Sequence, residues 1–321
     1  FFGGIFPGII HGTQNYQEGY ILKKLPLPAA PMLVTGLEKE DFVLPDFQDW
    51  LAEMSETPST LLVFIDGLTA NIARCLDQLY HVFGNTVSFM GGGAGSLSLV
   101  PQPCVFTQEG IFQDAVLICP VQLNISLGVK HGWQKMMGPM VATKTVKNTI
   151  YELNWTNAFD LYKEAIEKDG GPTISATNFF DVAKAYPFGI FREMGEDIVR
   201  DPIAVGENGA LICVGEVPEN TVLYILKGAN SALINAAQMA TQECMEQVEE
   251  PVEHTLVVDC ISRTLFLQED FSKELQQINQ VLFSGIAGVT PEGVLSLGEI
   301  SSYGSGVLEF YNKTLVVGAL Y

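Results

Sequence analysis

Basic side chains are scarce in this sequence. It carries 17 Lys+Arg against 37 Asp+Glu over 321 residues, a formal net charge of −20. A surface that acidic repels phosphate backbones and anionic headgroups, so neither nucleic acid nor a membrane surface is an expected partner. The densest basic spots, Lys23-Lys24 and the Lys144/Lys147 pair, are too thin to offset it. Long apolar runs are lacking as well. A bilayer-spanning helix needs about 20 consecutive apolar residues, whereas runs such as 115–121 are strand-sized. No basic and apolar leader is visible at Phe1, which reads as the interior of a protein. The six cysteines include no CxxC pair and no zinc-finger spacing. Cys119, Cys213 and Cys260 lie in apolar, strand-like stretches, which points to buried reduced thiols and a cytoplasmic compartment. Enzyme signatures are missing too: there is no GxSxG elbow and no HExxH. A hydrolase built on Asp66, Glu299 or Cys260 has no spacing to support it, so a non-enzymatic role is expected.

Apolar material is plentiful, at 47% of residues, so a substantial core is expected. The length suggests two domains. Helical periodicity appears over 44–56, 70–83, 157–167, 230–247 and 271–283; in the second of these Ile72, Leu76, Leu79 and Phe83 share one face. Strand-like runs cover 19–26, 60–65, 105–106, 115–121, 123–129, 147–153, 203–205, 210–214, 222–226, 255–260, 293–299 and 314–319. Many strands follow one another directly, which is not the regular alternation of a doubly wound sheet. The expected class is α+β or mixed α/β: two layered domains, over 1–155 and 156–321, with mixed, largely antiparallel sheets flanked by helices.

The order of short motifs resembles the FIST family, whose members pair a FIST N with a FIST C region. Gly4-Ile5-Phe6-Pro7-Gly8, Asp66-Gly67-Leu68, the run Gly91–Gly95 and His131-Gly132-Trp133 resemble FIST N landmarks. Arg200-Asp201-Pro202, Asp259-Cys260-Ile261-Ser262-Arg263, Gly298-Glu299-Ile300 and Asn312-Lys313-Thr314 resemble those of FIST C. One departure is that the family usually carries several dozen residues before the point matching Phe1. The resemblance implies a cytoplasmic small-ligand sensor in signal transduction. In one bacterial branch it implies haem-based sensing of nitric oxide that modulates a histidine kinase. Two other readings stay open: a sensor of an amino acid or other small carboxylate, and an interaction scaffold without ligand.

Several residues fit these readings. A glycine run lets backbone N–H groups approach a ligand, so Gly92, Gly93 and the following Ser96 are candidates for a ligand-lining loop, with a crowded turn as the plain alternative. The run matches neither GxxxxGK[ST] nor GxGxxG. Haem iron takes an imidazole as axial ligand. His131, followed by Trp133 and near Met136, Met137 and Met140, is the candidate among four histidines. Arg200 and Arg263 are candidate carboxylate anchors, because a guanidinium fork holds two oxygens at once. Glu299 would accept from a ligand ammonium or fix an arginine. A structural ion pair is the competing account of Arg263 and Glu299.

Overall fold

The strand Thr60–Asp66 shows how such sequences fold. Leu61, Val63 and Ile65 face one core while Leu62 and Phe64 face another. A strand covered on both sides reads as a continuous apolar run, not as an alternating one. The computed structural model describes residues 1–193, 195–248, 250–285, 289–302 and 308–321.

This strand belongs to a six-stranded sheet in the order Glu309–Tyr311, Glu299–Ser301, Ser88–Ala94, Thr60–Asp66, Ala115–Val121, Met32–Thr35. A second six-stranded sheet runs Ile125–Lys130, Leu315–Leu320, His254–Cys260, Glu292–Ser296, Gly8–His11, Gln14–Tyr16. Each contains one parallel pair: Thr60–Asp66 with Ser88–Ala94, and His254–Cys260 with Glu292–Ser296. The other described pairings in both are antiparallel. The helices are α1 (Gln48–Glu53), α2 (Ile72–Phe83), α3 (Ala158–Lys168), α4 (Phe179–Ala183), α5 (Asn230–Glu246), α6 (Ile261–Leu267) and α7 (Phe271–Gly285). Helices α1 and α2 cover the outer face of the first sheet through Trp50, Leu76, Leu79 and Phe83. Helices α5 and α7 cover the outer face of the second through Leu233, Ala237, Leu275 and Ile278. Between the sheets, Leu62, Met90, Leu117, Val258 and Val316 form a shared core. The result is a four-layer sandwich.

A third sheet closes on itself. Gln134–Val146, Val222–Lys227, Phe188–Ile190, Ile198–Val205, Leu211–Val214 and Thr149–Leu153 follow one another, and the last pairs back onto the first. This barrel, with α3 and α4, encloses its own core around Tyr162, Phe179, Phe188, Leu211 and Leu223. The barrel is joined to the sandwich at the ends of Phe188–Ile190 and Ile198–Val205, where Ile190 and Ile198 enter the inter-sheet core.

The expected α+β class with mixed, largely antiparallel sheets is what the chain adopts. The two sheets and the barrel all take strands from both sides of residue 155. Residues 19–26 are irregular, not a strand, and 293–299 is two strands broken at Leu297-Gly298. The positive φ of 152° at Gly298 lies where a β-carbon is strained. The thirteen-residue strand Gln134–Val146 escapes the periodicity because it is irregularly paired and half-exposed along much of its length.

Candidate functional site

The strand His254–Cys260 ends in two residues that point to opposite layers. Asp259 shares the helix side with Val257, and Cys260 the inter-sheet side with Val258. The chain then turns into α6, whose third residue, Arg263, is fully buried, as is Glu274 on α7. Arg263 Nε donates to Glu274 Oε1 at 3.1 Å and its NH2 group to Glu274 Oε2 at 2.6 Å, a two-pronged pair. The remaining donors reach backbone: NH1 to the His131 carbonyl at 2.5 Å, and NH2 to the Leu233 carbonyl at 3.2 Å. Burial pulls the guanidinium pKa down, but Glu274 and Asp259 together hold it above its ordinary value. Asp259 Oδ1 lies 3.2 Å from Arg263 Nε, yet Nε aims at Glu274 and both Asp259 oxygens lack a hydrogen-bond donor. Burial, with Glu274 next, pushes the Asp259 carboxyl well above the usual carboxylate range.

On the other side of the strand, Glu299 accepts from the Ser296 hydroxyl at 2.6 Å and from the Thr314 N–H at 3.2 Å. Glu299 is fully buried, and that burial raises its pKa to about 8 against the pull of those donors. Cys260, beside it, has its thiol pushed far up by burial first and the Glu299 charge second, which disfavours the thiolate.

The segment Asn312-Lys313-Thr314 ties this cluster to the barrel. Thr314 holds Glu299; Lys313 Nζ pairs with Asp201 at 3.0 Å, donates to the Lys184 carbonyl at 3.1 Å and lies 4.8 Å from the centre of the Trp133 ring. Asn312 accepts from Arg200 at 3.3 Å, and Arg200 also donates to the carbonyls of Phe310, Val199 and Glu216. Burial lowers Arg200 to about 10. Burial likewise raises Asp201 despite Lys313, and one Asp201 oxygen has no donor. More ion pairs close the outside of the junction: Lys130–Glu196 at 3.0 Å, Lys135–Asp197 at 2.9 Å and Arg192–Glu309 at 2.5 Å.

Of the expected ligand residues, Arg263 and Glu299 come together in one cluster, and Arg200 joins it through 312–314. All three are occupied by partners within the chain. Arg263 sits in the first turn of α6. Gly92 and Gly93 belong to the strand Ser88–Ala94 and line no loop. The reason is packing: a β-carbon on Gly92 would stand 2.9 Å from Val258 Cγ1 and 3.2 Å from the Gly298 carbonyl oxygen. Ser96 is half-buried and its hydroxyl accepts from the Ser98 N–H at 3.3 Å.

His131 does not suit an iron. Its Nδ1 accepts from the Trp133 N–H at 2.8 Å, so the proton is on Nε2, 3.3 Å from Glu196 Oε2. Neither nitrogen offers a free lone pair, and burial pulls the ring's pKa down against the opposing charge of Glu196. Met136 and Met140 turn into the barrel core instead of towards it. These residues do not fit haem. Among the described residues no cluster of three or more His, Cys, Asp or Glu could hold a metal.

The sequence reading passed over Asp201, Asp259, Glu274 and Lys313 as site residues. Glu274 had a signal: it falls on the face of Phe271, Leu275 and Ile278.

A model described as the FIST N domain matches residues 1–156, and one described as the FIST C domain matches residues 158–302. The chain belongs to the FIST family. No curated protein matches it. FIST domains are sensory domains, so the family carries a role in signal transduction. In this FIST chain both six-stranded sheets join strands of the N region to strands from later in the chain: Ile125–Lys130 of the N region pairs with Leu315–Leu320, and Ser88–Ala94 with Glu299–Ser301 of the C region. Among the described residues no helix is long and apolar enough to cross a membrane.

Proposed function

We propose that this FIST chain is a small-ligand sensor without chemistry of its own, in which a ligand changes how the barrel is set against the sandwich. The observation that supports it is the buried relay Asp201–Lys313 and Arg200–Asn312, continued through Thr314 to Glu299 and Arg263. Buried ion pairs contribute little net stability but fix one arrangement, because each charge stranded by a shift costs several kcal/mol. A junction of that kind has few intermediate settings. A ligand biases it only by binding one setting better, and about 1–3 kcal/mol of difference is typical of coupled sites. Two buried guanidiniums favour a small carboxylate, an amino acid among them, that exchanges with an internal acceptor. A histidine kinase or another signalling protein is the kind of partner that would read the change. Haem and nitric oxide form no part of this reading, given how His131 is held.

The test is a thermal-melting screen of free amino acids, small carboxylates and haemin. A carboxylate at a hundred times its Kd adds about 2.7 kcal/mol of stability, and its effect should vanish in Arg200→Ala or Arg263→Ala. A carboxylate panel that never moves the midpoint refutes the ligand class. A haem Soret band that disappears in His131→Ala refutes the rejection of haem.

A further inference from the structure

The outer face of α5 and α7 stands apart from the rest of this acidic molecule. No charged residue occurs from Asn230 to Gln242 on α5, nor from Leu275 to Gly285 on α7. Glu274 is buried and Lys273 pairs with Asp270 at 2.7 Å. Within those two stretches the exposed residues are amides and hydroxyls, with two apolar exceptions: Met239 at 43% exposure and Phe283 at 66%. Helix α3 is the contrast, with Asp160, Lys163, Glu164, Glu167 and Lys168 lining its outward face. The first turns of α5 and α7 also enclose an open groove of about 530 Å³, with Ile234 and Gln238 on one wall and Lys273 and Gln277 on the other. The two helices run in the same direction, since Asn230 at the start of α5 bonds to Asp270 just ahead of α7. The groove therefore lies at one end of the face and Phe283 towards the other, with Met239 near the middle, next to the groove residue Gln238.

We infer that this face is where a second copy of the chain packs. A two-fold interface must be self-complementary: what one copy offers at one end, the other must receive at the opposite end. Groove and Phe283 meet that condition, because a two-fold axis through the middle of the face brings Phe283 of each copy onto the groove of the other, with the two Met239 side chains meeting near the axis. Charge selects the same face. Two bodies of net charge −20 repel at most approaches, and least where neither presents like charge. Its size is at the lower end of what a specific interface needs. Seventeen residues of α5 make about 25 Å of helix. Two helices side by side are about 20 Å wide, so the projected face of about 500 Å² approaches, with side-chain relief, the ~800 Å² per partner of a standard interface.

Sedimentation velocity across a concentration series, at low and high salt, tests this. The wild-type chain should sediment as a dimer at micromolar concentration, and added salt should not dissociate it. Phe283→Glu and Met239→Glu should each weaken association at least tenfold while leaving the melting midpoint of the monomer unchanged, since both side chains are exposed. Gln280→Cys, near the inferred axis, should form an intermolecular disulfide on oxidation; the six native cysteines are buried and leave that product unambiguous. A wild-type chain that stays monomeric overturns the inference. So does a dimer that both glutamate substitutions leave intact.

Discussion

Replacing Glu299 by Gln changes one atom and removes one titration. Unfolded, a glutamate ionises near 4.5; folded, Glu299 holds its proton to about 8, first through burial. Between those values the native state binds a proton that the unfolded state has released. Stability therefore falls as pH rises through that window and levels off above about 8. Each pH unit is worth about a factor of ten in the folding equilibrium. Across the window the site's contribution is on the order of 5 kcal/mol. Gln keeps the shape and can still accept from the Thr314 N–H, while its amide does not ionise. Denaturant midpoints measured from pH 5 to pH 9 should show the two proteins close together at the acid end. The variant should then become progressively the more stable, with the gap constant above about pH 8. Parallel curves would refute the reasoning, because they would mean that Glu299 ionises in the fold as it does in water.

Arg263→Met leaves Glu274 and Asp259 without their cation, and should cost about 3–5 kcal/mol, read as a fall in the melting midpoint; replacing all three by apolar residues of similar volume should recover most of it. Gly128→Ala places a β-carbon 1.8 Å from the Ala240 carbonyl oxygen, which forces α5 away from its sheet. The outcome should be poor folding, measured by soluble yield and circular dichroism, while Gly206→Ala, whose β-carbon meets nothing closer than 3.4 Å, should behave as wild type.

Local periodicity made much of the architecture legible. The strand 115–121 and the helices near 158–168, 230–246 and 271–285 announce themselves because each presents a regular apolar pattern to a neighbouring layer. The glycine run at 91–95 misled because glycine reports only that a side chain is unwelcome there. Whether a ligand or another strand comes close is decided by Val258 and Gly298, both distant in sequence. Arg263 and Glu299 were legible as unusual charges in apolar surroundings. Their partners were harder to see. Lys313 looks like any turn lysine, and only the fold brings Asp201 and Trp133 to it. His131 shows the same limit: Met136 and Met140 turn into the barrel core, and besides the nearby Trp133 N–H the groups that hold it, Glu196 and Arg263, lie far along the chain.

The strand Leu315–Leu320 lies between Ile125–Lys130 and His254–Cys260 and pairs with both. A ribosome must therefore release nearly this whole stretch before that layer can knit together. Until then Ile125–Lys130 waits with an open edge, which favours slow assembly and a need for shielding during synthesis. An early stop codon a few residues upstream of Leu315 would remove an interior plank, and the damage would reach residues made two hundred positions earlier.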